Sequence, residues 1–319
     1  MHAVTIVDGR LEWREHPDPE PGTGELLVAV EAAGLNGADM VQRRGGYPAP
    51  PGWPSDIPGM ELAGTVVETG PKVFRFAKGD RVMAVVGGGA QAELSVLHER
   101  TALPVPDSLD WPEAGGFPEV FSTAHDALFT QCGLAPGERV LIHGAAGGVG
   151  IAAVQLAAVA GAQVTATVRH DDLRGEVARV GLACGDVTAV ATDVDLSEHG
   201  PFDVVLELVG APNFVANLRA LAVGGRISII GVGAGGRAEL DLMTLMAKRA
   251  RIHGSTLRPR PLEQKGEVAQ RVERQVLPFV AARQVTVPVA ATFAMREAEA
   301  AYERFAAGAK FGKIVLTRD

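Results

Sequence analysis

The run with the clearest chemical potential is His143-Gly144-Ala145-Ala146-Gly147-Gly148-Val149-Gly150. The apolar stretch Val140–His143 leads into it, and an alanine-rich helical stretch follows. A second β-like run, Val164–Val168, completes a strand–turn–helix–strand pattern. Glycines at the end of a strand let the backbone approach a pyrophosphate. The helix that follows offers unpaired N–H groups and its positive dipole end to the anion. The strict G-x-G-x-x-G spacing is not met, because Ala145 stands where the first glycine belongs, ahead of Gly147 and Gly150. The βαβ context carries the reading instead, and it implies a bound dinucleotide.

The residues after the second strand bear on which dinucleotide. A carboxylate there would hydrogen-bond the ribose 2′-hydroxyl of NAD. Here Val168 is followed by Arg169 and His170, while Asp171 and Asp172 come later and suit the cap of the next helix. A guanidinium makes charge-assisted, often bidentate bonds to phosphate oxygens, so Arg169 favours the 2′-phosphate of NADPH. Arg174, one turn into the next helix, is a second candidate. The alternative for Arg169 is a solvated surface residue.

Such a turn needs a sheet to hold it, and the chain shows two textures. Up to about residue 100, short runs rich in Val and Leu (Val4–Val7, Leu26–Val30, Gly64–Thr69, Arg81–Val86, Glu93–Leu97) are separated by Gly and Pro clusters. That spacing predicts an antiparallel, barrel-like domain. From about Glu119, helical segments alternate with buried-strand candidates at Val140–His143, Val164–Val168, Ala189–Thr192, Val204–Leu208 and Ile227–Val232. This alternation predicts a parallel, doubly wound sheet and an α/β fold. Further on, a helix is expected over Glu239–Arg249 and a strand over Arg251–Leu257. Another helix should carry Val268, Val272, Val276, Phe279 and Val280, and a last one Ala298, Tyr302 and Phe305, before the strand Lys313–Leu316.

Composition narrows the function classes. The 319 residues, 47% hydrophobic, suffice for about two domains with buried cores. Lys plus Arg number 30 against 38 Asp plus Glu, a net charge of −8, which argues against nucleic acid or an anionic membrane as partner. Cys132 and Cys184 are the only cysteines, too few for a disulfide framework, and free thiols fit a reducing cytoplasm. No signal peptide is expected from the first residues, and the apolar stretch Ile151–Val168 reads better as helix, turn and strand than as a membrane span.

Several runs in order resemble the medium-chain dehydrogenase/reductase superfamily: Leu35-Asn36-Gly37-Ala38-Asp39, Gly59-Met60-Glu61, the βαβ unit and Gly312-Lys313-Ile314-Val315-Leu316. More narrowly, Gly45-Gly46-Tyr47, the run Phe117–Ala124 and Gly254-Ser255-Thr256-Leu257-Arg258 resemble its zinc-free quinone oxidoreductases. The subgroup most alike is typified by the tumour-suppressor-inducible NADPH quinone oxidoreductase. The resemblance implies a GroES-like catalytic domain (1–118), a Rossmann NADPH-binding domain (119–260) and a C-terminal return to the first domain (261–319). Zinc-dependent members place a cysteine where Asn36 stands and a histidine where Met60 stands, keeping an acid at Glu61. Asparagine and methionine are poor ligands for catalytic zinc, so no metal is expected.

Without a metal, the chemistry most easily supported is hydride delivery from NADPH to an electron-poor acceptor, a quinone or a conjugated enone. The resemblance implies that Tyr47 and Asn36 line the acceptor, where a phenol can serve a developing oxyanion. Tyr47 could instead pack its loop, and Asn36 could cap its turn; Asp39 reads as a holder of local backbone. By the same resemblance, Thr123 approaches the nicotinamide and Ala146, Gly147, Gly148 and Val149 line the pyrophosphate turn. Leu208, Val209, Gly210, Gly231 and Val232 follow successive strands at the ligand edge, and Lys313 is a further cofactor contact. A homodimer paired through residues 251–257 is also implied. The rival readings are a reductase of enones, alkenals or enoyl thioesters, and a non-enzymatic NADPH-binding structural protein.

Overall fold

The computed structural model describes residues 1–318. The chain divides into two compact units, Met1–Ser122 with the segment from Leu257 onward, and Thr123–Thr256 between them. These junctions fall a few residues from the boundaries expected at 118/119 and 260/261.

In the first unit, β1 (His2–Val7) and β2 (Arg10–Glu15) form a hairpin across Asp8 and Gly9, which both have positive φ, 49° and 77°. A two-residue turn of this hand matches the twist of the strands and favours Asp-Gly. β2 was absent from the sequence expectation, because its residues are charged and mostly exposed. The barrel is built around β3 (Glu25–Gly34), with β4 (Glu61–Thr69), β5 (Arg81–Val85), β6 (Leu94–His98) and β7 (Ala102–Pro104). β3 pairs with β4 along one edge and with β6 along the other, which curls the sheet. Helix α1 (Gly37–Arg43) lies between β3 and β4, α2 (Trp111–Gly115) follows β7, and α3 (Pro118–His125) runs across the boundary at Ser122.

The second unit runs β8 (Arg139–Ile142), α4 (Gly148–Val159), β9 (Gln163–Thr167), α5 (Asp171–Leu182), β10 (Val187–Val190), α6 (Leu196–His199) and β11 (Phe202–Glu207). It continues with α7 (Phe214–Ala220), β12 (Leu221–Ile229), α8 (Leu242–Lys248) and β13 (Arg251–Gly254). All six strands are parallel, in the order β10-β9-β8-β11-β12-β13, the doubly wound arrangement. Val140, Leu141, Ile142, Val204, Val205 and Leu206 are fully buried, as expected of central strands covered on both faces. α8 begins at Leu242 rather than Glu239, because the Asp241 side chain accepts from the Met243 N–H and sets the start. β13 stops at Gly254, short of the expected Leu257.

The chain returns to the first unit through α9 (Leu262–Gln275), α10 (Leu277–Ala281), β14 (Val289–Ala294), α11 (Ala298–Ala306) and β15 (Lys313–Thr317). The single helix expected over Val268–Val280 is broken at Val276, since Pro278 supplies no N–H to continue it. β15 lies between β14, which it pairs in parallel, and the end of β3, where Val315–Thr317 run antiparallel to Ala32–Gly34. The core of this unit joins Leu26, Val28, Leu62, Val82, Ile314, Leu316 and Tyr302. Among the described residues, no helix is long and apolar enough to cross a membrane.

Candidate active site

The register of β15 against β3 brings Lys313 beside Leu35 and Asn36, so residues nearly 280 apart in sequence meet. The buried Lys313 ammonium donates to Leu35 O and Asn36 Oδ1, both at 2.8 Å, and lies 2.6 Å from Glu61 Oε1. Glu61, fully buried, also accepts from Asn36 Nδ2 at 2.9 Å and from the Glu119 N–H at 2.8 Å. Two expectations are corrected by this network. Lys313 is not presented to a cofactor, because its three N–H groups are engaged inside the first unit. Asn36 offers no free donor to an acceptor, since its amide N–H groups go to Glu61 and to Gly34 O. Nor does its side chain cap α1; Asp39 instead accepts from the Asn36 N–H at 2.8 Å, holding local backbone as expected.

Asp39 is completely buried and its Oδ1 has no hydrogen-bond partner. Burial pushes its carboxyl up to about 6, against the Asn36 hydrogen bond and the charges of Lys313 and Arg258. Folding therefore favours the protonated form, a contribution present below about pH 4 and lost as pH rises through about 6. Asp39→Asn keeps an acceptor for Asn36 and cannot ionise. Its stability relative to the native chain should rise between pH 4 and pH 7 by about 2–3 kcal/mol. Denaturant midpoints measured across that range check this, and a constant difference would refute it.

Tyr47 follows the turn Gly45–Gly46 after α1 and is half-buried. Burial and the nearby Glu119 raise its phenol above the ordinary value, and the Arg258 guanidinium opposes them. The phenol is protonated at neutral pH and can donate a hydrogen bond, while the upward shift makes it a weaker acid. Lys265 sits 5.7 Å from the centroid of the Trp53 ring in the same unit, and burial lowers its ammonium pKa.

In the second unit the cofactor candidates other than Lys313 gather at the carboxyl ends of the parallel strands, with Thr123 buried on α3. Ala146 and Gly147 lie in the turn after β8, and Gly148 and Val149 open α4, which no side chain caps. That leaves first-turn amides for an anion. The tight turn is made by Gly144, at φ 65°, one residue before the position where the fingerprint would put it. A Cβ on Gly150 would sit 2.4 Å from Gly144 O and 2.6 Å from Ala145 Cα, so this glycine sets how closely helix and turn pack. A Cβ on Gly231 would meet Leu208 O at 2.3 Å, holding the two loops in contact.

Glu207, 1% exposed at the end of β11, was not anticipated as a site residue. Its Oε1 accepts from the Val209 and Gly210 N–H groups at 2.7 and 2.8 Å, and Asn217 Nδ2 donates to its Oε2 at 2.7 Å. Val209 and Gly210 thus shape the loop rather than offer their amides to a ligand. His143 Nε2 lies 2.7 Å from Asn217 Oδ1 and its Nδ1 lies 2.9 Å from Thr167 Oγ1, which ties β8, β9 and α7 together. Burial lowers the His143 pKa, with Glu207 opposing. Arg169 and His170 follow β9; Arg169 is exposed, its Nε 3.3 Å from His170 Nε2. Arg174 is paired with Asp171 at 2.5 Å, so it is the weaker phosphate candidate.

Residues 22–107 match the alcohol dehydrogenase GroES-like domain family, and residues 148–274 match the zinc-binding dehydrogenase family. The quinone oxidoreductase of Mus musculus is 32% identical over 248 residues, covering 75% of this chain and 73% of that protein. The chain belongs to the quinone-oxidoreductase-like medium-chain dehydrogenases/reductases. Members of this superfamily are oxidoreductases that bind a nicotinamide cofactor. The spectinabilin polyketide synthase system protein NorB of Streptomyces orinoci is 35% identical over 302 residues. That match covers 92% of this chain, which spans 13% of NorB. A mycobacterial protein solved in complex with NADPH is 27% identical, with a TM-score of 0.85 over 99% of this chain and 100% of that one. Among the described residues of this family member, no group of three or more His, Cys, Asp and Glu side chains is placed to hold a metal ion.

Proposed function

We propose that this chain is a zinc-independent, NADPH-dependent reductase of quinones. The observation that carries the reading is the Lys313 ammonium, 2.6 Å from Glu61 and 2.8 Å from the Asn36 carbonyl oxygen. In zinc-dependent relatives the positions of Asn36, Met60 and Glu61 supply ligands. Here a fixed cation already neutralises the one carboxylate, and the amide of Asn36 is engaged with it. This donor set does not fit zinc. Quinones need no Lewis acid, because the ring delocalises the incoming charge.

The second unit fits a dinucleotide: Gly144 makes the tight turn at φ 65°, Gly150 and Gly231 allow backbone segments to approach where a Cβ would clash, and α4 begins uncapped. Ala146–Val149 would hold the pyrophosphate, Arg169 and His170 the 2′-phosphate, and Thr123, Leu208–Gly210, Gly231 and Val232 the rest of the cofactor. When bound, NADPH supplies a hydride. Tyr47 Oη donates a hydrogen bond to the acceptor oxygen and a proton as that oxygen becomes basic. Similarity to NorB favours a second reading, reduction of conjugated double bonds in enones, alkenals or enoyl thioesters. Steady-state NADPH oxidation with a quinone panel beside an enone panel tests both. Faster turnover of quinones is expected, preference for enones selects the second reading, and NADPH binding without turnover of either class identifies a structural protein.

Cofactor choice rests on Arg169, exposed after β9 with no carboxylate at Val168. Arg169→Ala should raise the apparent constant for NADPH about tenfold and leave that for NADH unchanged, the lower end for a charge-assisted bond at a solvated site. Equal use of the two cofactors by the native chain would refute the assignment.

A homodimer through β13 completes the proposal. Among the described residues β13 pairs with β12 alone, at the sheet edge, and neighbouring α8 exposes Leu242, Met243 and Met246. A bare strand edge beside an apolar helix favours pairing with a second copy. A monomer mass by light scattering at micromolar concentration would overturn this.

A further inference from the structure

Arg258, the second residue of the segment that returns to the first unit, is 2% exposed. Its Nε donates to Gly87 O at 2.8 Å, Nη1 to Tyr47 O at 3.0 Å and Nη2 to Gln42 Oε1 at 2.7 Å. One planar fork therefore joins α1, the Tyr47 loop and the Gly87 turn, which lie 171 to 216 residues away in sequence. The Gly87 turn in turn packs on the far end of the same loop. A Cβ on Gly87 would lie 2.5 Å from the Trp53 ring, so the stretch from Tyr47 to Trp53 is held at both ends.

These three bonds go to neutral oxygens. The guanidinium is also within electrostatic reach of the Asp39 and Glu119 carboxylates, Asp39 the stronger of the two, so its charge is shared between these groups and the Tyr47 phenol. Its charge faces the Tyr47 ring, with the guanidinium carbon 5.1 Å from the ring centroid.

We infer that Arg258 is a positioning residue for acceptor reduction, fixing the Tyr47 loop through its fork and stabilising the Tyr47 phenolate through its charge. The inference rests on the donor role proposed above for Tyr47. The charged groups acting on this phenol are Glu119, which disfavours its ionisation, and Arg258, which favours it. Proton release from Tyr47 to an acceptor oxygen leaves a phenolate, and Arg258 is the cation placed to receive it.

The test needs no substrate for its first readout. The chain has two tyrosines, and burial holds the other, Tyr302, well above the ordinary phenol range. Phenolate absorbance during a pH titration of the native chain therefore reports Tyr47 first, and Tyr47→Phe identifies its transition. In Arg258→Gln the Tyr47 transition is expected at higher pH, with thermal unfolding confirming a folded chain. With the best acceptor from the quinone and enone panels, kcat should fall about tenfold while the acceptor KM changes less than about twofold. Adding Arg258→Gln to Tyr47→Phe should lower kcat little further. Arg258→Lys covers the case of an unfolded Gln variant: its charge should keep the phenol transition near the native one, while loss of the fork lowers kcat about threefold. An unmoved Tyr47 transition in Arg258→Gln, additive effects in the double variant, or native kcat in Arg258→Lys would each overturn the inference. Failure of the chain to reduce any acceptor would refute the proposed activity and leave the titration to decide the role of Arg258.

Discussion

Replacing Lys313 with Met should lower stability by about 3–5 kcal/mol, because it leaves the Glu61 carboxylate in the interior without its cation. The size follows from burial: Glu61 is 0% and Lys313 4% exposed, so water cannot take over from the lost partner. Leu35 O and Asn36 Oδ1 lose their donor in the same step. Urea denaturation at pH 7 measures the loss. The double variant Lys313→Met with Glu61→Gln should recover part of it, since the amide carries no charge and its single oxygen still accepts from either Asn36 or the Glu119 N–H. A single variant within about 1 kcal/mol of the native chain would mean that the network is relaxed or hydrated, and would remove the main argument against zinc.

Gly150→Ala should weaken NADPH binding about 100-fold and cost about 1–3 kcal/mol of stability. The added Cβ would lie 2.4 Å from Gly144 O and 2.6 Å from Ala145 Cα, both backbone atoms, so the turn itself has to move. Displacing the turn shifts the amides at the start of α4 from the phosphate positions. Gly175→Ala is the control. Gly175 lies within α5 with open space at its Cα, and alanine there should stabilise by about 0.5–1 kcal/mol and leave binding intact. Fluorescence titration with NADPH separates the two. Binding within about threefold of native in Gly150→Ala would show that the turn yields to the methyl group and that helix–turn packing does not set the phosphate site.

Much of the second unit was legible because its signals are local. The runs Val140–His143, Val164–Val168 and Val204–Leu208 are apolar throughout, as strands covered on both faces must be, and glycines punctuate their ends. The first unit was less legible. β2, with the sequence Arg-Leu-Glu-Trp-Arg-Glu, has no apolar face strong enough to mark it, although the Asp8-Gly9 pair before it is a good hairpin signal. β14 was missed because Ala290 and Ala291 blur its alternation and its parallel partner β15 follows only after α11. The helix expected through Val276–Val280 ignored Pro278, whose missing N–H interrupts a run that hydrophobic spacing alone would continue.

The sequence by itself determined the two textures, the glycine turn, the family and the absence of the usual zinc ligands at Asn36 and Met60. Each rests on residue identity or on spacing within one short segment, where backbone sterics and hydrophobic periodicity act directly. Tertiary structure alone decided what the polar side chains do. Lys313 had been assigned to the cofactor and Asn36 to the acceptor, yet the pairing of β15 with β3 joins both to Glu61 in a closed network. Arg258 had no role until the returning chain laid it against Tyr47, Gln42 and Gly87. A buried ionic group takes its partners from whatever the fold brings within about 3 Å, and strand register across hundreds of residues is not written in any local run.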